Sequence, residues 1–339
     1  MKLKSISQNV NFLASKKNIP LSTLIEITYK CNHKCYYCYQ KHYNSYKEIP
    51  YKKWCNILEQ LSSAGTLYLT FSGGEPFLRN DFLKIVEYAR KLKFGISIIT
   101  NGTLLNKKII KFLSDINILD IGISFHASYE HLHDFLCGIN GGFNLARKNL
   151  EACLNAGIKT IIKHTVSSLN FGEFIKLKKL AKKTGALFEC DCFVLPLEPL
   201  GCSPYSLSQT KFISFVKKTF LFKHPICITK NQIKEKLHCD AGRSVSGIRP
   251  NGDLLPCILL PIVFGNLLQK PFNEIWHSKI ADTFRQKEKK LSSECIKCNM
   301  NKYCSRCHGI AFWESGNWRG KAKSLCLFAN SVKSLKLFR

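Results

Sequence analysis

Apolar positions between residues 24 and 196 alternate between two periods. LIEIT (24–28), TLYLTFSGGEP (66–76), ISIITNG (96–102), LDIGISFHAS (119–128), IKTIIKHTVS (158–167) and ALFECDCFVLP (186–196) are short β-rich runs. Between them, 49–65, 81–95, 106–116, 144–157 and 172–185 carry apolar residues at helical spacing, and several end at a glycine. Strand–helix alternation with short connections, repeated about six times, predicts a parallel sheet with its helices outside. Six units are too few for a closed eightfold barrel. The expected fold is α/β, a partial (β/α)6 TIM-like barrel followed by a small cysteine-rich domain. Active-site groups in such barrels collect at the C-terminal ends of the strands. Here those ends carry a cysteine triad, Gly73-Gly74-Glu75, Thr100-Asn101-Gly102, and Ser124 with His126.

The alternation stops near residue 200. The predicted division is a 1–21 extension, a 22–200 barrel, a basic 201–238 connector that is helical in part, a turn-rich cysteine-dense module over 239–330, and a 331–339 tail. Residues 211–238 hold seven Lys against one Glu.

Composition changes this picture in two ways. The chain of 339 residues carries a net charge of +28, which suits an acidic partner or a solvated basic surface. It also holds 17 cysteines. No run of 18 apolar residues and no secretory signal are visible, so the chain reads as cytoplasmic, where thiols stay reduced. So many cysteines then imply metal or redox chemistry. Cys55 and Cys153, in helical patterns, read as small core residues.

CNHKCYYCY (31–39) places Cys31, Cys35 and Cys38 in one loop, directly after the first strand. Three thiolates on one cubane leave one iron without a protein ligand. Structural zinc would need a fourth ligand, and His33 is one by type. With Ser72-Gly73-Gly74-Glu75-Pro76 ending the second strand, the chain resembles the radical S-adenosylmethionine (radical SAM) enzymes over residues 22–196. That family carries this cysteine spacing, an aromatic residue before the last cysteine (Tyr37), and a Gly-Gly-Glu turn.

The resemblance implies that Cys31, Cys35 and Cys38 ligate a [4Fe–4S] cluster whose open iron is chelated by the methionyl end of SAM. It implies SAM contacts at Gly73, Gly74 and Glu75, a ribose contact at Ser124, and further contacts at Tyr37, Asn101 and Asn170. The chain departs from the family at Ser124-Phe125-His126-Ala127. It departs again at Cys137, which stands where an Arg commonly helps to hold the SAM carboxylate.

The tail holds Cys239, Cys257, Cys295, Cys298, Cys304, Cys307 and Cys326. Read alone, CIKCNMNKYCSRC has the pairs of a zinc ribbon. After a radical SAM core it resembles the SPASM extension, with a hairpin turn at Pro250-Asn251-Gly252-Asp253 and two rather than three residues between Cys304 and Cys307. That resemblance implies one or two auxiliary [4Fe–4S] clusters, the outer on Cys295, Cys298, Cys304 and Cys326, the inner on Cys239, Cys257 and Cys307. The inner one has an open iron, or recruits Cys190, Cys192, Cys202 or Cys227.

The implied activity is reductive cleavage of SAM and hydrogen abstraction from a ribosomally made peptide, giving a thioether or C–C crosslink or an epimerised residue. An epimerase would need a thiol hydrogen donor, for which Cys190 and Cys192 are candidates. The expected partners are a precursor peptide with an acidic leader, a reductant such as flavodoxin or ferredoxin, and a separate leader-recognition protein, since strand one begins near residue 22. No membrane is expected. The alternatives are a sulfatase-maturating, formylglycine-generating enzyme and, in another class, a zinc-stapled nucleic-acid-binding protein.

Overall fold

All six predicted strands form: β1 (Ser22–Thr28), β2 (Tyr68–Gly73), β3 (Gly95–Thr100), β4 (Asp120–Ser124), β5 (Thr160–Thr165) and β6 (Leu187–Asp191). The computed structural model describes residues 6–42, 48–196, 198–221, 239–288 and 292–335. Residues 1–5, the 222–238 part of the expected connector with Cys227, and the end of the tail lie outside the described residues.

The helices follow from their apolar spacing. After α1 (Ile6–Lys17), α2 (Tyr51–Ser63) buries Trp54, Ile57, Leu58 and Leu61, and α3 (Phe82–Lys91) buries Phe82, Ile85, Val86 and Ala89. Each is a stripe with steps of three and four residues that turns one face to the sheet. Next, α4 (Lys107–Asp115) is capped by the Asn106 side chain, which accepts from the Ile109 N–H at 3.0 Å. Then α5 (Glu130–Cys137), which the sequence reading passed over, α6 (Gly142–Asn155) and α7 (Glu173–Thr184) complete the barrel layer.

Strands β1 to β6 are parallel and lie side by side in chain order. Right-handed crossovers taken always in one direction keep every helix on one face, so the sheet curls into an open barrel. Alternation then divides the side chains. Ile25, Ile27, Leu69, Phe71, Ile96, Ile98, Ile121, Ile123 and Ile162 point outward into the main core with Trp54, Phe82 and Leu150. The intervening residues, among them Glu26, Ser72, Ser97, Ser124, Lys163, Glu189 and Asp191, face the concave side.

The boundary expected at residue 239 is not a break in the sheet. Strand β7 (Val245–Ile248) pairs in parallel with β1, and β8 (Asp253–Leu255) and β9 (Gly265–Asn266) follow antiparallel, giving nine strands. Thr23 Oγ1 and Ser246 Oγ, both buried, meet at 2.8 Å across the join. An open barrel leaves β1 as an unpaired edge, and the cysteine-rich segment covers it. The hairpin turn expected at 250–253 forms, with Gly252 at φ 91°.

Helix α8 (Gln209–Leu221) confirms that the connector is helical in part. It is followed by α9 (Phe272–Trp276), α10 (Lys279–Glu288), α11 (Ser293–Ile296), α12 (His308–Ser315) and α13 (Lys323–Ser334). A second apolar cluster joins α7, α8 and α13 through Phe174, Phe212, Phe215, Phe328 and Val332. Trp276 enters the main core and donates its indole N–H to the Asn18 carbonyl at 2.6 Å, tying the C-terminal segment to the N-terminal one.

Candidate active site at the strand ends

The cysteine loop leaves β1 and is held by its backbone on two sides. On one side, the Gly74 N–H donates to Thr28 O and the Glu75 N–H to Lys30 O, both at 2.8 Å. On the other, the Lys34 N–H donates to Cys137 O at 2.8 Å and the Tyr36 N–H to Leu136 O at 3.0 Å, at the end of α5. That helix stops at Gly138 in the left-handed region (φ 61°), and its terminal carbonyls receive the loop. Cys31 is exposed, and Cys35 and Cys38 are half-buried.

The glycine pair has an immediate role within the chain itself. A Cβ on Gly73 would fall on the Thr28 carbonyl oxygen, and one on Gly74 on the Lys30 carbonyl oxygen. The close approach these glycines permit is to the chain's own backbone, just ahead of Cys31. Glu75 is likewise turned inward. It is fully buried, and its carboxylate accepts from Thr100 Oγ1 (2.8 and 2.9 Å), the Asn101 N–H (2.8 Å) and the Phe77 N–H (3.1 Å). Burial pushes its carboxyl above the ordinary value, and these donors oppose the shift. Glu75 thus staples the ends of β2 and β3. Glu75→Ala strands these buried donors and is expected to cost about 3–5 kcal/mol in urea unfolding. Glu75→Gln, which keeps one acceptor oxygen, should cost less.

Of the other expected SAM contacts, Asn101, Asn170 and Tyr37 carry hydrogen bonds within the chain. Asn101 donates to Asn32 Oδ1 at 2.8 Å and accepts from the Thr103 N–H and hydroxyl, an Asx turn that pins the cysteine loop to β3. Asn170 is buried, with its amide fully occupied by Ser167, Thr165, His126 and Tyr37. Tyr37 is buried with Leu136 and Val194, and its hydroxyl meets His126 Nδ1 at 2.7 Å. Burial holds the phenol well above its ordinary range. Ser124 is half-buried at the end of β4 on the concave face.

Cys190 and Cys192 do not face the barrel interior. They pack against the cluster of Phe174, Phe212 and Phe215, with Cys190 beside Lys178 of α7. This corrects their reading as hydrogen donors: the strand's alternation places both on the helix side. Asp191 between them takes the concave face, along with Glu189, which pairs with Lys163. Desolvation pushes the Asp191 carboxyl up, and Cys307 lies within its electrostatic reach. Glu26, overlooked in the sequence, is buried on the same face and accepts from Tyr39 (2.9 Å) and Gln40 (2.6 Å), the residues directly after Cys38. Its signal was an acid in the middle of an otherwise apolar strand.

The tail cysteines gather in two groups. Burial pushes Cys304 up to about 11, and the sulfurs of Cys326, Cys295 and Cys298 push the same way. Burial also pushes Cys257 up to about 11, with Cys307 and Glu26 adding to it. Cys239 is half-buried ahead of β7. The candidates for an eighth ligand are placed elsewhere: Cys202 is exposed and donates to Glu314, and Cys227 is outside the described residues.

Among the described residues, only His33, Cys35 and Cys137 bring three ligand atoms within 4.8 Å of one another. The donor set of the loop, three thiols on a backbone pinned on both sides, fits an iron–sulfur cluster. No helix among the described residues is long and apolar enough to cross a membrane.

Comparison with known proteins agrees with this geometry. Residues 25–181 match the radical SAM superfamily, and residues 239–308 match the SPASM iron–sulfur cluster-binding domain. The AdoMet-dependent heme synthase of Methanosarcina barkeri is 26% identical over 332 residues, covering 89% of this chain and 95% of that protein. The antilisterial bacteriocin subtilosin biosynthesis protein AlbA of Bacillus subtilis is 25% identical, covering 86% of this chain and 67% of AlbA. Among solved structures, Streptococcus suis SuiB bound to S-adenosylmethionine superimposes with a TM-score of 0.72 at 19% identity, covering 96% of this chain and 84% of SuiB. The anSMEcpe enzyme with bound AdoMet and a peptide gives 0.72 at 23% identity, covering 94% and 96%.

Proposed function

The chain is a radical SAM enzyme with a C-terminal SPASM domain, and from that premise we propose that it matures a ribosomally made peptide. SAM, the radical SAM [4Fe–4S] cluster and the SPASM auxiliary clusters are its cofactors. In this reading, Cys31, Cys35 and Cys38 hold the cluster that receives SAM, and the tail cysteines hold the auxiliary clusters in the two groups given above. Bound there, the cofactor supplies a carbon-centred radical able to take hydrogen from an unactivated carbon. The chain's own residues orient the substrate and shield it from water.

The observation that carries the reading is the lining of the concave face. Its strands present Glu26, Glu189 and Asp191 against Lys163, and Lys163 is already paired with Glu189. A mixed polar lining of this kind suits peptide backbone and side chains. AlbA, by its name, serves bacteriocin biosynthesis, and SuiB has been crystallised with its precursor peptide SuiA. A basic outer surface at +28 would draw an acidic leader to such a site. The second reading, a tetrapyrrole substrate, is favoured by the near-complete span of the Methanosarcina heme synthase. The nucleic-acid reading falls with the family assignment. Maturation of a sulfatase has only a fold likeness behind it.

The test is anaerobic incubation of reconstituted enzyme with SAM, a reductant and the short peptides encoded beside its gene, followed by mass spectrometry. The expected result is 5′-deoxyadenosine together with a peptide of altered mass. Deoxyadenosine formation driven by an iron porphyrin bearing carboxylates, and by none of the peptides, would reverse the choice.

A further inference from the structure

Helices α7, α8 and α13 pack side by side next to the barrel mouth, and their charge is one-sided. Helix α7 carries five lysines and one acid, Glu173; α8 carries three lysines and α13 two, with no acid on either. Aromatic contacts join the three beneath this surface, Phe174 to Phe215 at 5.2 Å and Phe212 to Phe328 at 6.1 Å between ring centroids. The single acid is turned inward. Glu173 is buried, and its carboxylate accepts from the Ser128 N–H (2.8 Å), the Ser128 hydroxyl (2.6 Å) and Lys176 (2.8 Å).

The lysines nearest the mouth are held in place. The Lys211 ammonium donates to the Ser168 carbonyl at 3.1 Å and lies 5.7 Å from the centre of the Phe171 ring. Lys218, further along α8, lies 5.7 Å from the same ring and 5.9 Å from that of Phe174. The faces of these rings attract the cations and so fix where they sit. Ser168 and Phe171 belong to the loop between β5 and α7, with Leu169, which is exposed. Tyr129, exposed as well, has Lys176 at 5.8 Å from its ring. In the same loop Asn170 donates to His126 O, just past β4, at 2.9 Å. The lysines therefore border the rim on which the cysteine loop and Ser124 stand.

Like charges gathered on one surface repel, and the folded chain gains nothing from them by itself. Fixed cations beside exposed apolar side chains suit a ligand that offers carboxylates and apolar groups together. We propose that the α7–α8 surface docks the acidic leader of the precursor peptide, with Lys211 and Lys218 meeting its carboxylates and Leu169 and Tyr129 its apolar side chains. A leader held there has its following residues at the barrel mouth. The inference rests on the peptide-maturation reading and adds to it the place where the peptide is recognised.

The test is fluorescence anisotropy on reconstituted enzyme with a labelled synthetic peptide of Glu-Glu-Leu repeats, beside a Lys-Lys-Leu peptide and a labelled single-stranded DNA. Wild-type enzyme should bind the glutamate peptide, more weakly as salt rises. Lys211→Glu with Lys218→Glu should weaken that binding about tenfold, and Lys211→Ala with Lys218→Ala by less. Lys107→Glu with Lys108→Glu, on α4, makes the same change in net charge away from this surface and should bind like wild type. All three variants should keep the wild-type circular dichroism and the wild-type rate of deoxyadenosine formation without peptide. Equal binding by the two charge-reversed variants would overturn the proposal. So would DNA bound in preference to the glutamate peptide and lost on reversal of Lys211 and Lys218, which would give the surface to nucleic acid. A precursor matured with wild-type KM by the Lys211→Glu, Lys218→Glu variant would overturn the docking surface and leave maturation standing. Glutamate-peptide binding lost in that variant, in an enzyme that consumes only an iron porphyrin, would overturn maturation and leave the surface as an acidic-peptide site.

Discussion

Replacing Cys31, Cys35 and Cys38 together with alanine is expected to reduce 5′-deoxyadenosine formation to background while leaving the protein folded and still brown. Wild-type protein purified anaerobically should carry about eight to twelve irons, and the triple variant about four fewer. The fold should survive because these side chains are not in the apolar core: Cys31 is exposed and the other two are half-buried. The loop is held by main-chain bonds, Gly74 to Thr28, Glu75 to Lys30, Lys34 to Cys137 and Tyr36 to Leu136, none of which needs a thiol. The readouts are iron content, circular dichroism and chromatographic quantitation of deoxyadenosine. SAM cleavage that persists in the triple variant would refute the placement of the cluster. Zinc in place of iron in the wild type would refute the radical chemistry.

Gly73→Ala should be the most damaging single substitution in the barrel rim. The residue sits at φ 132°, where side chains are strained, and a Cβ would drive into the Thr28 carbonyl oxygen. Backbone strain and forced displacement together are expected to cost about 3–5 kcal/mol. The displacement would also separate β2 from the segment leading to Cys31, so cluster content should fall alongside stability. Gly141→Ala is the control: it too has positive φ, at 74°, but nothing lies within 4 Å of an added Cβ. It should cost about 1 kcal/mol. Equal stability of the two variants in urea would show that the contact between the Gly-Gly-Glu turn and the cysteine loop is unimportant.

Much of the architecture was legible because period and punctuation are local. The stripe Trp54, Ile57, Leu58, Leu61 and the glycines at 65, 157 and 185 mark a helix and its end through neighbouring residues alone. The cysteine spacings were legible for a related reason, since ligands to one centre must share a short loop. Side-chain direction at strand ends was not. Cys190, Asp191 and Cys192 are adjacent in the chain, and which of them faced the interior depended on how β6 was seated against β5 and α7. Motif chemistry also left Glu75 ambiguous. Its acceptors' partners, Thr100 and Asn101, lie on the next strand, and only the paired strands bring them within reach.

The chain's pattern of residues was therefore enough to specify a curled α/β array with a thiol-lined loop at its rim and a metal-stapled tail. Tertiary packing decided the rest. It placed β7 against the open edge of β1 and gave Glu75, Asn101 and Asn170 their hydrogen-bond partners on neighbouring segments. The physical reason is that hydrogen bonds and burial are short-ranged. Partners from separate strands and helices meet only once the strands have paired and the helices have packed on them.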